Sequence, residues 1–377
     1  MGRSKSALEI DVVEDVGGLT DISDEWTALA SVSGASQFSL PSFAIPWWNN
    51  MGRGELRVVT VRRKHQLVGL MPVHERNYKV GRNGVASVLR WLGHGLGVVG
   101  QMLVDPATDQ AKVATAVWDA LAEACSPRVA LQLTEYRVGD AGLHALRHST
   151  AWDPFLELRS TVPVVKVDDI ATILAGTSRR SLRQTLSTAE RDLEAGGHRF
   201  EFETVETNDH FRRVLPEIDT LFDLAEQHQP KMHMLRGDLR PMTLASIEQS
   251  LGSKHTLISI LRVDGQPIAF DLSIVVNGTA YGFIRRHGPA GRDFSPGHLL
   301  MRHNLIDAHE RGVDTFDLGL GFDSYKRRWA TDWYDAVAIT GGRAGQRTRG
   351  RATALGIDAF HQARSRLPSQ AQRITGA

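Results

Sequence analysis

The chain holds a single cysteine, Cys125, so it has no internal disulfide and no cysteine-built metal site. Set within an apolar helical stretch, that thiol is expected to be buried and inert. Long apolar runs are absent too: none approaches the roughly eighteen residues of a membrane-spanning helix. The N-terminus shows no hydrophobic signal region, and a cytoplasmic location is the expectation. Met1 to Ser6 fits the short myristoylation pattern, which is read as a chance match. Charge of one sign is also lacking. Lysines and arginines number 44 against 43 acidic residues, a formal net charge of +1. That balance argues against a dedicated nucleic-acid binder. His228 and His233 are not at helical metal-ligand spacing, so no metal is expected.

What is present is a soluble globular composition, 42% hydrophobic and 23% charged over 377 residues. That length is too great for one ordinary core and implies two domains. Leu8 to Val13 reads as a strand and Ile22 to Ala30 as a helix. Pro41 and Pro46 limit Phe38 to Trp48 to a short helix and loops. They carry Trp47 and Trp48, a pair that either lines a groove or is split between core and surface. Leu56 to Val61 and Leu67 to Val73 flank Lys64-His65-Gln66 as a hairpin, followed by a helix (Ala111 to Ala124) and a strand (Val129 to Thr134). The same order recurs about 200 residues on. Thr256 to Val263 and Pro267 to Val276 flank Asp264-Gly265, and Asn277-Gly278 leads into the strand Ala280 to Arg285. Two copies of a hairpin–helix–strand unit suggest duplication. Between them, Thr177-Ser178 caps a helix with Leu182, Leu186, Ala189 and Leu193 on one face. Arg179, Arg180, Arg183 and Arg191 fall around it, either as a solvated basic face or as a surface for an anionic substrate.

Chemistry concentrates between Thr279 and Trp329. A turn with Gly288, Gly291, Arg292 and Ser295 precedes the apolar-periodic helix that begins Pro296-Gly297-His298-Leu299-Leu300. Ser295 is the expected N-cap and Pro296 the first helical residue. The first-turn N–H groups, with Arg286 and Arg292 on the approach, would form an anion site. The corresponding helix entry of the first copy, Val104 to Asp109, is acidic and lacks the glycines, so the second copy is the one expected to hold a cofactor. Gly312 ends the helix, and a short strand leads to Asp317. Gly319, Gly321, Asp323, Tyr325 and Lys326 then follow within a few residues.

Pro296-Gly297-His298-Leu299-Leu300, Gly312, Phe316-Asp317-Leu318-Gly319 and Tyr325-Lys326 with Trp329 together resemble the CelD-type acetyltransferase-like proteins of the GNAT superfamily. The resemblance implies an α/β (α+β) fold of two tandem GNAT-like domains, each a mixed, mostly antiparallel sheet flanked by helices, as in the FemABX peptidyltransferases. On this reading residues 1–160 are an N-terminal domain without cofactor, 161–341 the acetyltransferase-like domain, and 342–377 an arginine-rich tail. The resemblance further implies acyl transfer from acetyl-CoA or another acyl-CoA to an amine-bearing small molecule, such as an amino sugar or an envelope precursor, in a cleft between the domains. Arg286, Gly291, Arg292, Ser295, Gly297 and His298 would bind the cofactor. Asp317 is the first candidate base, with Asp271 and His287 next, and Tyr325 is placed to donate a proton to the leaving thiolate. Backbone N–H groups of Tyr281 to Arg285 would hold the oxyanion. Lys326, Trp329 and Trp48 are candidates for the acceptor. The spacing of Arg286, Gly288, Gly291 and Gly297 departs from the usual GNAT pyrophosphate signature, which leaves the donor open. The alternatives are a FemABX-like aminoacyl-tRNA-dependent transferase and a GNAT-like binding module without catalysis. No specific nucleic-acid partner is expected. Residues 342–377 carry seven Arg against one Asp, +6, leaving −5 elsewhere. Such a tail would favour an anionic membrane surface or simply solubilise.

Overall fold

A computed structural model describes residues 7–80, 84–228, 234–252 and 255–365. In chain order the first elements are β1 (Leu8–Val13), α1 (Val16–Asp21), α2 (Ser23–Val32) and α3 (Pro41–Met51). Next come β2 (Glu55–Leu56), β3 (Val58–Arg63), β4 (Gln66–Met71), β5 (Val73–Val80), β6 (Gly84–Trp91) and β7 (Leu103–Val104). They are followed by α4 (Gln110–Ala124), β8 (Ala130–Arg137), α5 (Ala141–Arg147) and the long β9 (Trp152–Lys166). The chain continues through α6 (Ile170–Ala175), α7 (Arg180–Ala195), β10 (Phe200–Thr204), α8 (Asn208–His228) and α9 (Leu239–Gly252). The last stretch holds β11 (Thr256–Val263), β12 (Gln266–Val276), β13 (Thr279–His287), α10 (Pro296–Glu310), β14 (Thr315–Asp317), α11 (Ser324–Trp329), β15 (Asp332–Arg343) and α12 (Arg347–Ser365). Among the described residues no helix is long and apolar enough to cross a membrane.

These elements form two compact units that interleave in sequence. The first takes the described residues of Met1–Ser33, Gly52–Arg159 and Asp335–Ala377, and the second takes Gly34–Met51 and Ser160–Tyr334. The change of unit near residue 160 falls inside β9. Residues 34–51 go with the later unit and the C-terminal segment with the earlier one.

In the first unit a sheet of order β1-β3-β4-β7 is antiparallel throughout, and β5 pairs antiparallel with β6 and β2. β8 joins β6 in parallel and β15 antiparallel. The β3–β4 turn places Lys64 and His65 at φ 53° and 64°, the left-handed pair that a two-residue hairpin demands. α4 starts where the Asp109 carboxylate accepts the Lys112 N–H at 3.2 Å. It buries Val113, Val117, Trp118 and Leu121, positions three to four apart, against a core that includes Val59, Leu89, Trp91 and Leu131. Cys125 lies in that core, and burial pushes its thiol pKa well up, as an inert cysteine requires.

The C-terminal segment, in which the sequence shows only a weak helix from Leu355, forms the longer helix α12. Its arginines help to seat it: Arg347 and Arg351 lie 3.9 and 4.5 Å over the Phe155 ring, and they pair with Asp153 and Glu157 respectively. Gly350 is essential to this docking, because a Cβ there would stand 1.9 Å from the Gly341 carbonyl oxygen. Gly350→Ala is therefore expected to lower stability by about 1–3 kcal/mol through overpacking. Gly356 of the same helix has open space around it, and Gly356→Ala should stabilise by up to about 1 kcal/mol. Urea melts of the two variants check this, and similar effects in both would refute it.

In the second unit the strand order is β10-β11-β12-β13-β14-β9, antiparallel except for the parallel β13–β14 pair. Asp264-Gly265 and Asn277-Gly278 make the two hairpin turns, all four residues at positive φ. The α7 stripe Leu182, Leu186, Ala189 and Leu193 is buried with Leu299, Leu300 and Leu305 of α10. The chain enters α7 differently from the Thr177-Ser178 cap expected. Thr177–Arg179 forms a 3-10 turn, and α7 begins at Arg180 without a side-chain cap.

Candidate active site

The site is built where β13 leaves its neighbours. β14 pairs with β13 only from Thr279↔Thr315 to Tyr281↔Asp317, so the later residues of β13 have no ladder to β14. On the other side the β12–β13 register slips by one residue between Leu272 and Ser273. That slip sets Asp271 opposite Arg285. Asp271 is 1% exposed and would be an isolated charge in an apolar strand. The Arg285 guanidinium pairs with it, and the Ser273 hydroxyl donates to its Oδ1 at 3.0 Å.

Arg285 also reaches Tyr325 on α11, donating from Nη1 to the phenol oxygen at 2.9 Å. The Tyr325 hydroxyl in turn donates to the Gly297 carbonyl at 2.8 Å, on the first turn of α10. Burial and Asp271 push the phenol pKa up against the pull of Arg285, to about 12. Tyr325 is therefore protonated at neutral pH. Burial opposes the charge on Arg285, but Asp271 and Tyr325 outweigh it and hold its pKa above the usual arginine value.

Ser295 precedes α10 as expected, but its side chain makes no cap hydrogen bond. It sits in the left-handed region at φ 48°, and its carbonyl takes the N–H groups of His298 and Leu299 at 2.9 and 3.3 Å. With Pro296 lacking an N–H, Gly297 is the first-turn donor left over, a narrower anion site than the sequence suggests. Gly291 is a packing glycine: its Cβ would meet Pro296 at 3.0 Å. A Cβ at Gly297 would meet the Tyr325 ring at an ordinary 3.6 Å. Arg286 donates to the Arg285 carbonyl at 3.1 Å and lies 5.8 Å from the Phe222 ring. The Arg292 side chain lies outside the described residues.

His298 is buried against Tyr325 and Trp329, with ring centroids 4.7 and 6.0 Å away. Trp329 donates its indole N–H to His298 Nδ1 at 2.9 Å, which assigns the remaining proton to Nε2. Burial, with Arg328 and Arg285 nearby, depresses its pKa to about 4, so the ring is neutral.

The other carboxylate is committed as well. Asp317 is 4% exposed; its Oδ1 accepts the Gly319 N–H at 2.8 Å and its Oδ2 the Tyr334 hydroxyl at 2.7 Å. The Asp323 carboxylate caps α11 by accepting the Lys326 N–H at 2.9 Å. The Lys326 ammonium bonds the carbonyls of Gly319 and Leu320. His287 ends β13, half-buried, with Nδ1 3.5 Å from the Gly288 carbonyl. Trp48 stands on α3, which packs on α9, and its ring is 6.5 Å from that of Trp47. The structure thus joins Asp271, Gly297, His298, Tyr325 and Trp329 through Arg285. Asp317 and Lys326 hold the adjoining loop, and Trp48 lies on a separate helix. Arg285, Arg328 and Tyr334 were not singled out in the sequence.

Residues 180–327 match the family model described as Acetyltransferase (GNAT) domain. No curated protein matches the chain. Among solved structures, FemX superposes with a TM-score of 0.61 at 12% identity, covering 84% of this chain and 95% of FemX. L-PGS from Bacillus licheniformis gives 0.54 at 12% identity, over 90% of this chain and 95% of that one. A protein of unknown function from Bacteroides thetaiotaomicron gives 0.56 at 13% identity, over 88% and 99%. The chain is a GNAT-fold α/β protein, related in fold to FemX, whose residues 180–327 match an acetyltransferase-type domain.

Proposed function

We propose that the chain is a GNAT-type acyltransferase that moves an acyl group from a coenzyme A thioester to the amine of a small molecule. The observation that carries this reading is the Tyr325 hydroxyl, held by Arg285 at the first turn of α10 inside the matched segment. In such a transfer the amine attacks the thioester carbonyl, the C–N bond forms and the C–S bond breaks. A proton leaves the amine, and the thiolate is the leaving group. Tyr325, protonated and backed by a cation, can turn from the Gly297 carbonyl to donate to the sulfur. Arg285 offsets the charge that the phenol would then carry.

Asp271 and Asp317 each have both carboxylate oxygens engaged, so their part is positioning. Asp271 fixes Arg285, and Asp317 fixes the loop after β14. His287, half-buried where β13 ends, is our candidate for taking the amine proton. Backbone N–H groups of β13 beyond Tyr281, where the ladder to β14 stops, would hold the oxyanion. Gly297 N–H, with Arg286 and Arg292, would meet the donor's phosphates; Trp329, fully buried, and Lys326, committed to the Gly319 and Leu320 carbonyls, are left with structural roles, and Trp48 stands on a separate helix. Amino sugars are the first acceptors to try.

The test follows thiol release from acetyl-CoA across a panel of amines. Wild type should release thiol, and Tyr325→Phe should be slower by about ten- to a hundredfold with little change in melting temperature. A donor at a hundred times its Kd should also stabilise the protein by about 2.7 kcal/mol. Neither thiol release nor stabilisation at millimolar acyl-CoA would refute the reading. Transfer from an aminoacyl-tRNA would then point to the FemABX-like alternative, and binding without turnover to a module that has lost catalysis.

A further inference from the structure

Most arginines of the second unit that reach an acid are neutralised by it: Arg240 by Asp219, Arg262 by Glu203 and Glu217, Arg302 by Glu190. Three that lie together are not. Arg179, Arg327 and Arg328, with Ser324 and Ala330, line an open surface depression of about 530 Å³. None of the three makes an ion pair among the described residues, and the lining contains no carboxylate. That volume lies within the roughly 300–1,000 Å³ of ordinary ligand sites.

Two of the three guanidiniums are held in place by groups that leave their charge intact. Arg179 donates to the carbonyls of Arg328 and Ala330, tying the turn before α7 to the end of α11. Arg328 donates to the Ser181 carbonyl and hydroxyl at 3.1 and 3.0 Å and to the Thr185 hydroxyl at 2.8 Å. A second feature concerns hydrogen rather than charge. Because Trp329 occupies Nδ1 of His298, the Nε2 atom carries the proton. It nevertheless stands 3.2 Å from Arg328 Nη1, itself a donor. Two donors facing each other cannot bond, but they can share one acceptor. An oxygen of an anion seated beside Arg328 would satisfy both.

We propose that this depression is a phosphate-binding site, taking the phosphate or diphosphate group of a nucleotide-bearing co-substrate. Guanidinium forks match phosphate oxygens in geometry and charge. The unpaired charge and the facing donors are there whatever the identity of the acyl donor.

The probe is inorganic pyrophosphate, titrated by calorimetry into the full-length protein. Arg327 is exposed, and among the described residues its side chain holds no hydrogen bond or ion pair. Arg327→Glu, with Arg327→Gln as a milder change, is expected to weaken pyrophosphate binding at least about tenfold. Arg213→Glu, the same charge change at an exposed position on α8 outside the lining, should leave it unaltered. The source of the phosphate follows from three further titrations, of coenzyme A, 3′-dephospho-coenzyme A and uridine diphosphate. An Arg327-dependent preference for coenzyme A over its dephospho form assigns the site to the donor's 3′-phosphate. An equal dependence in both assigns it to the diphosphate, and dependence confined to uridine diphosphate assigns it to an acceptor. Absence of pyrophosphate binding, or equal weakening by Arg327→Glu and Arg213→Glu, overturns the proposal. Loss of the acyltransferase reading would show instead as failed thiol release with pyrophosphate binding intact.

Discussion

Replacing Arg285 by methionine is expected to destabilise the protein by about 3–5 kcal/mol, the scale of a broken buried ion pair. The cost comes less from the lost attraction than from what remains. Asp271 is 1% exposed in the middle of β12, and without Arg285 its carboxylate keeps the Ser273 hydroxyl as its partner among the described residues. An uncompensated carboxylate in that strand must either stay charged in a poor medium or take up a proton. The phenol of Tyr325 would lose its donor in the same step, leaving only its own bond to Gly297. The double variant Asp271→Asn/Arg285→Met separates these causes, because it removes the stranded charge while keeping a polar side chain for Ser273. It should recover a substantial part of the loss, and a double-mutant cycle by urea denaturation reads the coupling directly. A single-variant cost below about 1 kcal/mol, or no recovery in the double, would show that the pair does not hold β12 to β13.

This pair also marks where the sequence stops being legible. The Asn277-Gly278 turn identifies β12 and β13 and their antiparallel sense, and both strands are found as read. Counting back from that turn without a break would set Asp271 opposite Ile284. The one-residue slip between Leu272 and Ser273 moves the partner to Arg285, and a slip of this kind leaves no periodic trace. The count from the turn lands one position off, and only the opposite charges of Asp271 and Arg285 in facing apolar strands hint at the true pairing. The helix before β14 was legible because Ser-Pro-Gly and an apolar stripe mark its start, yet the geometry of its cap was not. Ser295 is a left-handed residue here, which composition does not foretell. Asp317 and Tyr325 could be named from the family resemblance, but their partners Tyr334 and Arg285 depend on how β15 and β13 return to the same place. The same holds for Arg179: it belongs to an evidently basic helix entry, but its meeting with Arg327 and Arg328 spans about 150 residues and is purely tertiary.

Acid should weaken the second unit between about pH 6.5 and 4, and His298 is the main reason. Its pKa in the folded chain is about 4, lowered by burial and by Arg328 and Arg285, against an ordinary 6.5. In that window the unfolded chain binds the proton and the folded chain resists it, so stability rises with pH and falls as pH is lowered. The full difference amounts to about 3 kcal/mol. The first unit carries groups of both signs, among them His94, held well below the usual imidazole range by burial and Arg90 and acting as His298 does. His74, lowered to about 3 by burial and Arg90, acts in the same direction as His298. Asp140, raised to about 6 by burial, acts oppositely: its stabilising protonated form is lost as pH rises through 6, so its contribution grows in acid. In the second unit Glu203 acts at lower pH: its pKa is lowered, its burial being outweighed by bonds from Arg262 and His210, so its contribution is lost only below about 4.5. Hydrogen exchange should therefore show α10 and β13 losing protection on going from pH 7 to pH 4.5, after correction for intrinsic exchange rates, and losing less of it in His298→Asn. His298→Asn offers a neutral acceptor to the Trp329 N–H and cannot titrate in this range, so it should flatten the pH dependence while costing some stability at pH 7. An equal pH dependence in His298→Asn and wild type would mean that the imidazole is not the group being protonated.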